Sequence, residues 1–245
     1  MPILSAIAAA SAKAYGFVAN ALKIITDNLQ LYLDAANSKS YPGSGSVWSD
    51  ITSNGYNGTL TNSPGYGTAN GGYISVDGTS SYILIGPVAN IGTSNVSVTW
   101  CIWAYPISSA GNIMSMSSAN PQGAWNMPPI AAYNYQFFGK IWSNSRIYSS
   151  AYTTNNWYYL TLVFNYTTSS QLFYVNGILQ GTESPISYGS SGASNYLFLG
   201  QSNPGADNTG MFNGRYGSFK IYTNKALTAS EILQNYNATK GRYGL

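Results

Sequence analysis

The stretch NWYYLTLVFNYTTSSQLFYVNGILQG, residues 156–181, contains two runs in which apolar and polar side chains alternate. Alternation with a period of two is typical of β-strands, and the β-branched and aromatic residues of both runs favour the same structure. The runs predict strands over residues 156–165 and 171–177. Asn176 and Gly177 form an Asn-Gly pair between hydrophobic residues, the strongest short-range signal of a β-hairpin.

The same alternation recurs along most of the chain, from about residue 27 onward. In residues 95–106, NVSVTWCIWAYP, it predicts a strand with one face made by Val96, Val98, Trp100 and Ile102 and the other by Ser97, Thr99, Cys101, Trp103 and Tyr105. Further strands are predicted over residues 29–35, 72–78, 81–87, 131–138, 195–201 and 214–224. Clusters of Gly, Asn, Ser and Pro separate them and mark turns.

Many short strands with hardly any helical periodicity predict an all-β fold, a two-sheet antiparallel sandwich or jelly roll. One segment differs. In LTASEILQNYNATKG, Thr228 and Glu231 have the spacing of a helix capping box, apolar residues follow at helical spacing, and Gly241 is a stop signal. A short C-terminal helix is therefore expected after the last strand.

Composition excludes several classes of function. Only 7% of the residues are charged, against roughly 25% in ordinary soluble proteins, and the net charge of +3 includes no dense basic stripe, so nucleic-acid binding is not expected. The chain has no histidine and one cysteine, Cys101, in an apolar run. A disulfide within the chain, a cysteine-type zinc site and a Ser-His-Asp triad are therefore excluded, and Cys101 is expected to be a buried hydrophobic residue.

The N-terminal residues 1–26 differ from the rest and are assigned to a separate attachment segment, leaving residues 27–245 as one β domain. The opening MPILSAIAAASA keeps Met1 and lacks a basic n-region, so a cleaved secretory signal is not expected. Lys13 interrupts the apolar run, which is too short to span a bilayer. The segment is expected to dock on a partner.

The order WYYLTLVFN, QLFYVNGILQG, YLFLGQS and MFNGRYGSFKIYTNKALTASEIL resembles the laminin-G-like domains of the concanavalin A-like lectin and glucanase superfamily. The earlier part, LYLDAANSKSYPGSGSVWSDITSNGYNGTL followed by GGYISVDGTSSYI, is similar to the versions of this domain found in bacteriophage virion proteins. The resemblance covers residues 29 to 245. It implies two curved antiparallel sheets in jelly-roll order, while function varies widely within the superfamily.

The start MPILSAIAAASAKAYGF resembles the beginning of phage capsid-decoration, fibre or tail-associated proteins. This resemblance implies location on the surface of a virion, contacts with other capsid or tail proteins, and assembly as a homo-oligomer. An apolar arm that cannot bury itself on its own chain is suited to such contacts. The expected anchors are Ile3, Leu4, Ile7, Tyr15 and Phe17.

No catalytic site is expected. Glycosidases of this superfamily use two glutamates on one strand as nucleophile and acid, and two carboxyl groups must flank the scissile bond. The chain contains only Glu183 and Glu231; the capping box explains Glu231, and Glu183 is expected in a loop. The prediction is a protein that is not an enzyme.

No cofactor is required, and calcium is left open at one loop. Asp50, Asn54 and Asn57 in WSDITSNGYNGT could offer oxygen ligands to Ca²⁺, although the same residues also favour a turn, with Trp48 packed inside. Superfamily members often carry an acidic residue in the last long strand, where this chain has Ser218 and neighbouring Phe219, which counts against the ion.

Sugar binding would use aromatic faces with amide and hydroxyl partners. The candidates lie between residues 123 and 148 and are Trp125, Tyr133, Tyr135, Trp142 and Tyr148. Contact with other subunits is the alternative use of the same aromatic residues. The leading hypothesis is a non-enzymatic phage virion protein that displays a lectin-like domain; the alternative is a carbohydrate-binding adhesion module.

Overall fold

The structure is a computed structural model, and it describes residues 23–92, 95–117, 127–141, 144–186, 194–201 and 210–245. The expected anchors Ile3, Leu4, Ile7, Tyr15 and Phe17 lie outside these residues, as do Trp125 and Trp142.

Strands dominate the described residues. In chain order they are β1 (Leu29–Asp34), β2 (Val47–Trp48), β3 (Gly58–Thr61), β4 (Gly65–Gly67), β5 (Tyr73–Asp77), β6 (Tyr82–Ala89), β7 (Val98–Pro106), β8 (Gly111–Ser117), β9 (Met127–Tyr133), β10 (Gln136–Gly139), β11 (Ile147–Ala151), β12 (Tyr158–Asn165), β13 (Ser170–Val175), β14 (Ile178–Glu183), β15 (Ser194–Leu199) and β16 (Asn213–Thr223). Helix α1 (Ala229–Thr239) follows, and short 3-10 turns lie at Ala69–Gly71 and Lys240–Tyr243.

The strands form two antiparallel sheets, which confirms the predicted all-β jelly-roll sandwich. Sheet A has the order β14-β13-β12-β7-β16-β5-β4, and β1 pairs with β16 beside β5. Sheet B has the order β11-β10-β9-β8-β15-β6-β3-β2. Strand β16 therefore lies in the middle of sheet A and pairs with β7 on one side and with β5 and β1 on the other.

In strand β7, the alternating side chains point to two different apolar clusters. Val98, Trp100 and Ile102 are buried in the core between the sheets, as expected for one face. Cys101 and Trp103 belong to a second apolar cluster on the outer face of sheet A. This outer cluster consists of Cys101, Trp103, Trp157, Tyr159, Val163, Tyr174, Tyr222, Leu227, Ile232 and Tyr243. Both faces of β7 are thus buried, because the C-terminal helix covers the second face.

Helix α1 begins with the predicted capping box. The Thr228 side chain accepts a hydrogen bond from the backbone N–H of Glu231, and the Glu231 carboxylate accepts one from the Thr228 backbone N–H. A capping box of this kind satisfies two donors that the first helical turn leaves free. The helix buries Ile232 and Asn235 against sheet A.

The hairpin at Asn176 and Gly177 is confirmed. Both residues have positive φ, 52° and 78°, and they join β13 to β14. The single strand predicted over residues 131–138 is wrong, because Asn134 and Tyr135 also have positive φ and turn the chain between β9 and β10. Glu183, expected in a loop, is the last residue of β14.

The chain enters the described region beside helix α1. The Ile25 N–H donates to Asn235 Oδ1 at 2.8 Å, and Gln234 Nε2 donates to the Lys23 carbonyl at 2.8 Å. Residues 23–26 of the expected N-terminal segment are therefore bonded to the domain. Within the described residues, no helix combines the length and the apolar character needed to cross a bilayer.

Candidate functional site

An open groove of about 300 Å³ lies where one edge of sheet A meets one edge of sheet B. Strands β10 and β11 form one wall, and β12, β13 and β14 form the other. The side chains used below are Phe137, Tyr152, Tyr158, Asn176, Ile178 and Gln180. We call this site the aromatic groove. Its volume is at the lower end of the range for small-molecule pockets.

The aromatic rings of the groove are held in place by one another and by the backbone. Phe137 and Tyr152 stack with ring centroids 4.1 Å apart and an interplanar angle of 12°, and Tyr158 meets both edge-on. The Tyr152 hydroxyl donates to the Ser108 carbonyl at 2.9 Å, and the Tyr158 hydroxyl donates to the Thr153 carbonyl at 3.1 Å. Phe137 is fully buried and Tyr152 nearly so, so the ring of this cluster that a ligand would meet is the half-buried Tyr158, already held in position.

Amide groups lie at the mouth of the groove. Gln180 accepts from the Ser150 N–H at 3.3 Å and donates to the Ile178 carbonyl at 3.0 Å. An amide side chain has two N–H donors and an oxygen with two lone pairs, so Gln180 keeps one donor and one acceptor position for a ligand. Asn176 Oδ1 accepts from the Tyr159 N–H at 2.8 Å, and its NH₂ group has no partner among the described residues.

The groove is electrically neutral. Its lining residues include no acidic or basic side chain. Burial raises the pKa of Tyr152 above its ordinary value, so its phenol stays protonated at neutral pH. The groove can therefore offer apolar contact and neutral hydrogen bonds, which suits an uncharged polar ligand.

The predicted sugar-binding residues are only partly brought to this site. Tyr135 is not a lining residue but lies beside the groove, half-exposed, with its ring 6.2 Å from that of the lining residue Tyr152. Tyr133 is exposed at the end of β9 and does not line the groove. Tyr148 pairs with Phe138, on the face of β10 and β11 opposite to Phe137, and its hydroxyl accepts from Arg146 Nη1 at 3.1 Å.

Sequence reasoning missed Phe137, Tyr152, Tyr158 and Gln180. Tyr158 was placed correctly in a strand, and the Asn-Gly turn located Asn176, but neither signal shows which strands meet at the sandwich edge. Phe137 and Tyr158 belong to different sheets, so their contact depends on how the two sheets pack.

The loop after Trp48 is held together by its own chain. Asp50 Oδ1 accepts from the N–H groups of Tyr32 and Thr52 at 2.9 and 3.0 Å, and Oδ2 accepts from Thr52 Oγ1 and the Tyr56 N–H at 2.7 and 3.1 Å. Asn57 Oδ1 accepts from the Asp50 N–H. These hydrogen bonds account for Asp50 and Asn57 as residues that stabilise a turn.

The other expected calcium ligand, Asn54, donates through Nδ2 to the Gln30 carbonyl at 2.9 Å. In the described part of the chain, no group of three or more His, Cys, Asp and Glu side chains could hold a metal ion. Calcium at this loop stays a prediction.

A buried lysine lies on the outer face of sheet A. Lys220 is fully buried, donates to Ser218 Oγ at 3.3 Å, and has its ammonium 4.5 Å from the Tyr32 ring centre. Burial lowers the pKa of Lys220 to about 8, partly offset by nearby Cys101 and Asp34. Burial likewise raises the pKa of Cys101, which makes it a poor nucleophile, as expected from its apolar surroundings.

Neither glutamate has a catalytic arrangement. Glu183 accepts hydrogen bonds from Gln171 Nε2 and from the Ser145 N–H, which tie β14 to β13 and to the chain before β11. Glu231 belongs to the capping box and forms an ion pair with Lys225 at 2.9 Å. One is on an edge strand of sheet A and the other on α1, so they do not form the carboxyl pair of one strand that a glycosidase of this fold uses.

One family model matches more than half of the chain. The Laminin_G_3 model, described as the concanavalin A-like lectin/glucanases superfamily, matches residues 77–233. The chain belongs to this superfamily. The matched residues run from the end of β5 into helix α1 and include the whole aromatic groove. No curated protein in the comparison matches the chain.

Several solved structures have a similar fold at low sequence identity. The binding domain of Paraclostridial Mosquitocidal Protein 1 is similar with a TM-score of 0.63 and 18% identity over 86% of this chain and 52% of that one. The binding domain of botulinum neurotoxin serotype G gives 0.63 and 16% over 85% and 50%. Trypanosoma rangeli sialidase in complex with sialic acid gives 0.64 and 13% over 89% and 34%.

The chain thus spans about half the length of the two toxin binding domains and about a third of the sialidase. At these identities the likeness shows the lectin-like fold alone.

Proposed function

We propose that this chain is a non-enzymatic carbohydrate-binding module and that the aromatic groove binds a neutral glycan. The observation that carries this proposal is the pairing of the ordered, half-buried Tyr158 ring with amide groups that keep free hydrogen-bonding positions, and with no charged side chain among the lining residues. The C–H faces of a sugar ring pack against aromatic rings, while its hydroxyls need donors and acceptors at the rim.

The fold supports a binding role. Two of the similar structures are binding domains of toxins, and one sialidase was solved with sialic acid, although each is much longer than this chain. The structural use of Glu183 and Glu231 supports a role without hydrolysis.

The proposal is tested by glycan-array screening, followed by calorimetric titration of the best neutral ligand. Replacing Tyr135 or Gln180 by alanine is expected to weaken binding about tenfold, since an aromatic contact or a hydrogen bond contributes roughly 1 kcal/mol or more. Affinity is expected to stay unchanged between low and high NaCl, because salt screens only charged interactions.

The matched control is Tyr166→Ala. Tyr166 and Tyr135 are each 50% exposed, and Tyr166 lies in the turn after β12, outside the groove. Equal loss of affinity in both tyrosine variants would contradict the assignment of the site. Failure to bind any neutral glycan would contradict the function itself.

The setting that we propose for this module is the surface of a phage particle, reached through residues 1–26 with other virion proteins and further copies of the chain as partners. Its support is the sequence resemblance alone, since residues 1–22 lie outside the described residues. Deleting residues 1–20 is expected to leave a folded domain that is no longer incorporated into particles. Normal incorporation of the truncated chain would contradict the attachment role.

A further inference from the structure

A second depression, of about 340 Å³, lies on the outer face of sheet A at the edge formed by β4 and β5. The side chains that matter there are Tyr73, Ser75, Asp77, Asn213 and Arg215. We call it the Arg215 depression. Strands β7 and β12 lie between it and the β13–β14 edge where the aromatic groove is found, so the two sites are separate.

Arg215 is held by aromatic rings. Its guanidinium carbon lies 4.6 Å from the ring centre of Tyr73 and 4.5 Å from that of Tyr105. Trp157 supports both tyrosines, with ring centroids 6.4 and 5.3 Å away. These contacts order the side chain through the faces of the guanidinium plane and leave its N–H edge for a ligand.

The guanidinium has no hydrogen-bond or ion-pair partner among the residues that the structure describes. Arg215 is also only half-buried, so a ligand can reach it from solvent. A planar fork of N–H donors that is already positioned matches a carboxylate, which accepts two parallel hydrogen bonds. Arg215 therefore supplies the donor side of a bidentate arginine–carboxylate pair.

Glycines create the space in front of this arginine. Gly65 and Gly67 of β4 pair with Ser75 and Tyr73 of β5. A Cβ at Gly65 would lie 2.6 Å from Ser75 Oγ, and one at Gly67 would overlap the Tyr73 ring. The depression exists because the edge strand has no side chains at these two positions.

Asp77 adds a hydrogen-bond acceptor to the depression. Its Oδ1 accepts from the N–H groups of Thr79, Ser80 and Ser81, whereas Oδ2 accepts only from Ser80 Oγ, at 3.0 Å. In the register Arg215 faces Ser75 and Asn213 faces Asp77, so Arg215 and Asp77 are diagonal neighbours on one face of the sheet, with Cα atoms roughly 7–8 Å apart. Both side chains line the same depression of about 340 Å³, so a ligand of the size of a sugar unit can contact both.

We propose that the Arg215 depression binds a carboxylated sugar, a uronic acid, with the carboxylate on Arg215 and a ring hydroxyl donating to Asp77. A simple anion such as phosphate would meet the Asp77 carboxylate without offering it enough donors, whereas a uronic acid uses both charged groups. The serine hydroxyls and the Asn213 amide suit the remaining hydroxyls of the sugar. This inference does not depend on the aromatic groove.

The test is calorimetric titration of the full chain with trigalacturonic acid and with its methyl ester, which lacks the charges. The acid is expected to bind at least tenfold more tightly than the ester. Arg215→Met, which keeps an apolar side chain between the tyrosines, is expected to lose that tenfold advantage. Arg215→Lys keeps the positive charge but lacks the planar fork of N–H donors, so it is expected to retain only part of the preference for the acid over the ester.

The matched control is Arg146→Met. Arg146 also lies over an aromatic ring, 4.5 Å from the centre of Phe138, but on sheet B. Arg146→Met is expected to bind the acid as the original chain does. Unchanged affinity in Arg215→Met, equal affinity for acid and ester, displacement of the acid by inorganic phosphate, or no binding of the acid would each overturn the proposal.

Discussion

Replacing Trp103 by alanine is expected to lower the free energy of unfolding by about 3–5 kcal/mol, the range for large aromatic residues removed from a core. Trp103 is fully buried beneath the C-terminal residues. Its ring stacks on Tyr243 with centroids 4.0 Å apart and also contacts Tyr159 and Tyr236. Its Nε1 donates to Thr239 Oγ1 at 2.9 Å, so the substitution also removes one of the hydrogen bonds that tie α1 to sheet A, while the bond from Asn235 Nδ2 to the Tyr222 hydroxyl remains.

Urea unfolding followed by far-UV circular dichroism measures this loss. In the Trp103→Ala variant, hydrogen exchange relative to the original chain should accelerate more in residues 229–239 than in β12. The substitution removes contacts of the helix and leaves the core between the two sheets in place. Tyr166→Ala, at an exposed turn, is the control and should change stability by less than about 0.5 kcal/mol. A loss below about 1 kcal/mol for Trp103→Ala would mean that the helix is not held by this ring.

The stability of the protein is expected to rise with pH through the titration of Lys220. Its folded pKa of about 8 is below the 10.5 of an unperturbed lysine, so the unfolded chain binds more protons between these two values. Stability then increases with pH across that window, by about 3 kcal/mol for a shift of this size, and is constant below it. Lys220→Met should lack this increase.

The pH dependence of stability must be measured for the original chain and for Lys220→Met, because other groups facing Lys220 also titrate. Cys101, Tyr32, Tyr159, Asp34 and Arg242 surround it. Burial raises the pKa of Cys101 and of the tyrosines, which lowers stability at high pH in both proteins alike. Urea unfolding at pH 7 and pH 10 in a Cys101→Ala background isolates the lysine. A stability difference between the two proteins that does not change with pH would contradict the depressed pKa.

The sequence was informative where a local pattern decides the structure. The alternation in β7, the Asn-Gly hairpin and the capping box of α1 all depend on neighbouring residues, and all are confirmed. The prediction over residues 131–138 failed because the alternation continues through Asn134 and Tyr135, which adopt positive φ. Strand β8 was missed because GNIMSMS contains a single β-branched residue, Ile113, and so gives a weak strand signal.

Neither of the two candidate sites could be predicted from the sequence to the same degree. The aromatic groove combines Phe137, Tyr158 and Gln180 from three strands of two sheets, and the Arg215 depression combines Tyr73, Tyr105 and Arg215 from three strands of one sheet. Their contacts follow from strand register and sheet packing, which a single sequence does not reveal. Abundant tyrosine indicated that aromatic sites were available, but not which rings would meet.

The position of β16 also determines when the domain can fold during its synthesis. Among the strands that the structure describes, β1 pairs only with β16, and β16 also joins the two halves of sheet A. During synthesis on the ribosome, β1 and β5 therefore cannot form their hydrogen bonds to β16 until residues 213–223 have emerged. Such long-range pairing is slow to form. The domain consequently completes sheet A only after residues 213–223 have been synthesised, and until then the edges of β1 and β5 that pair with β16 stay open.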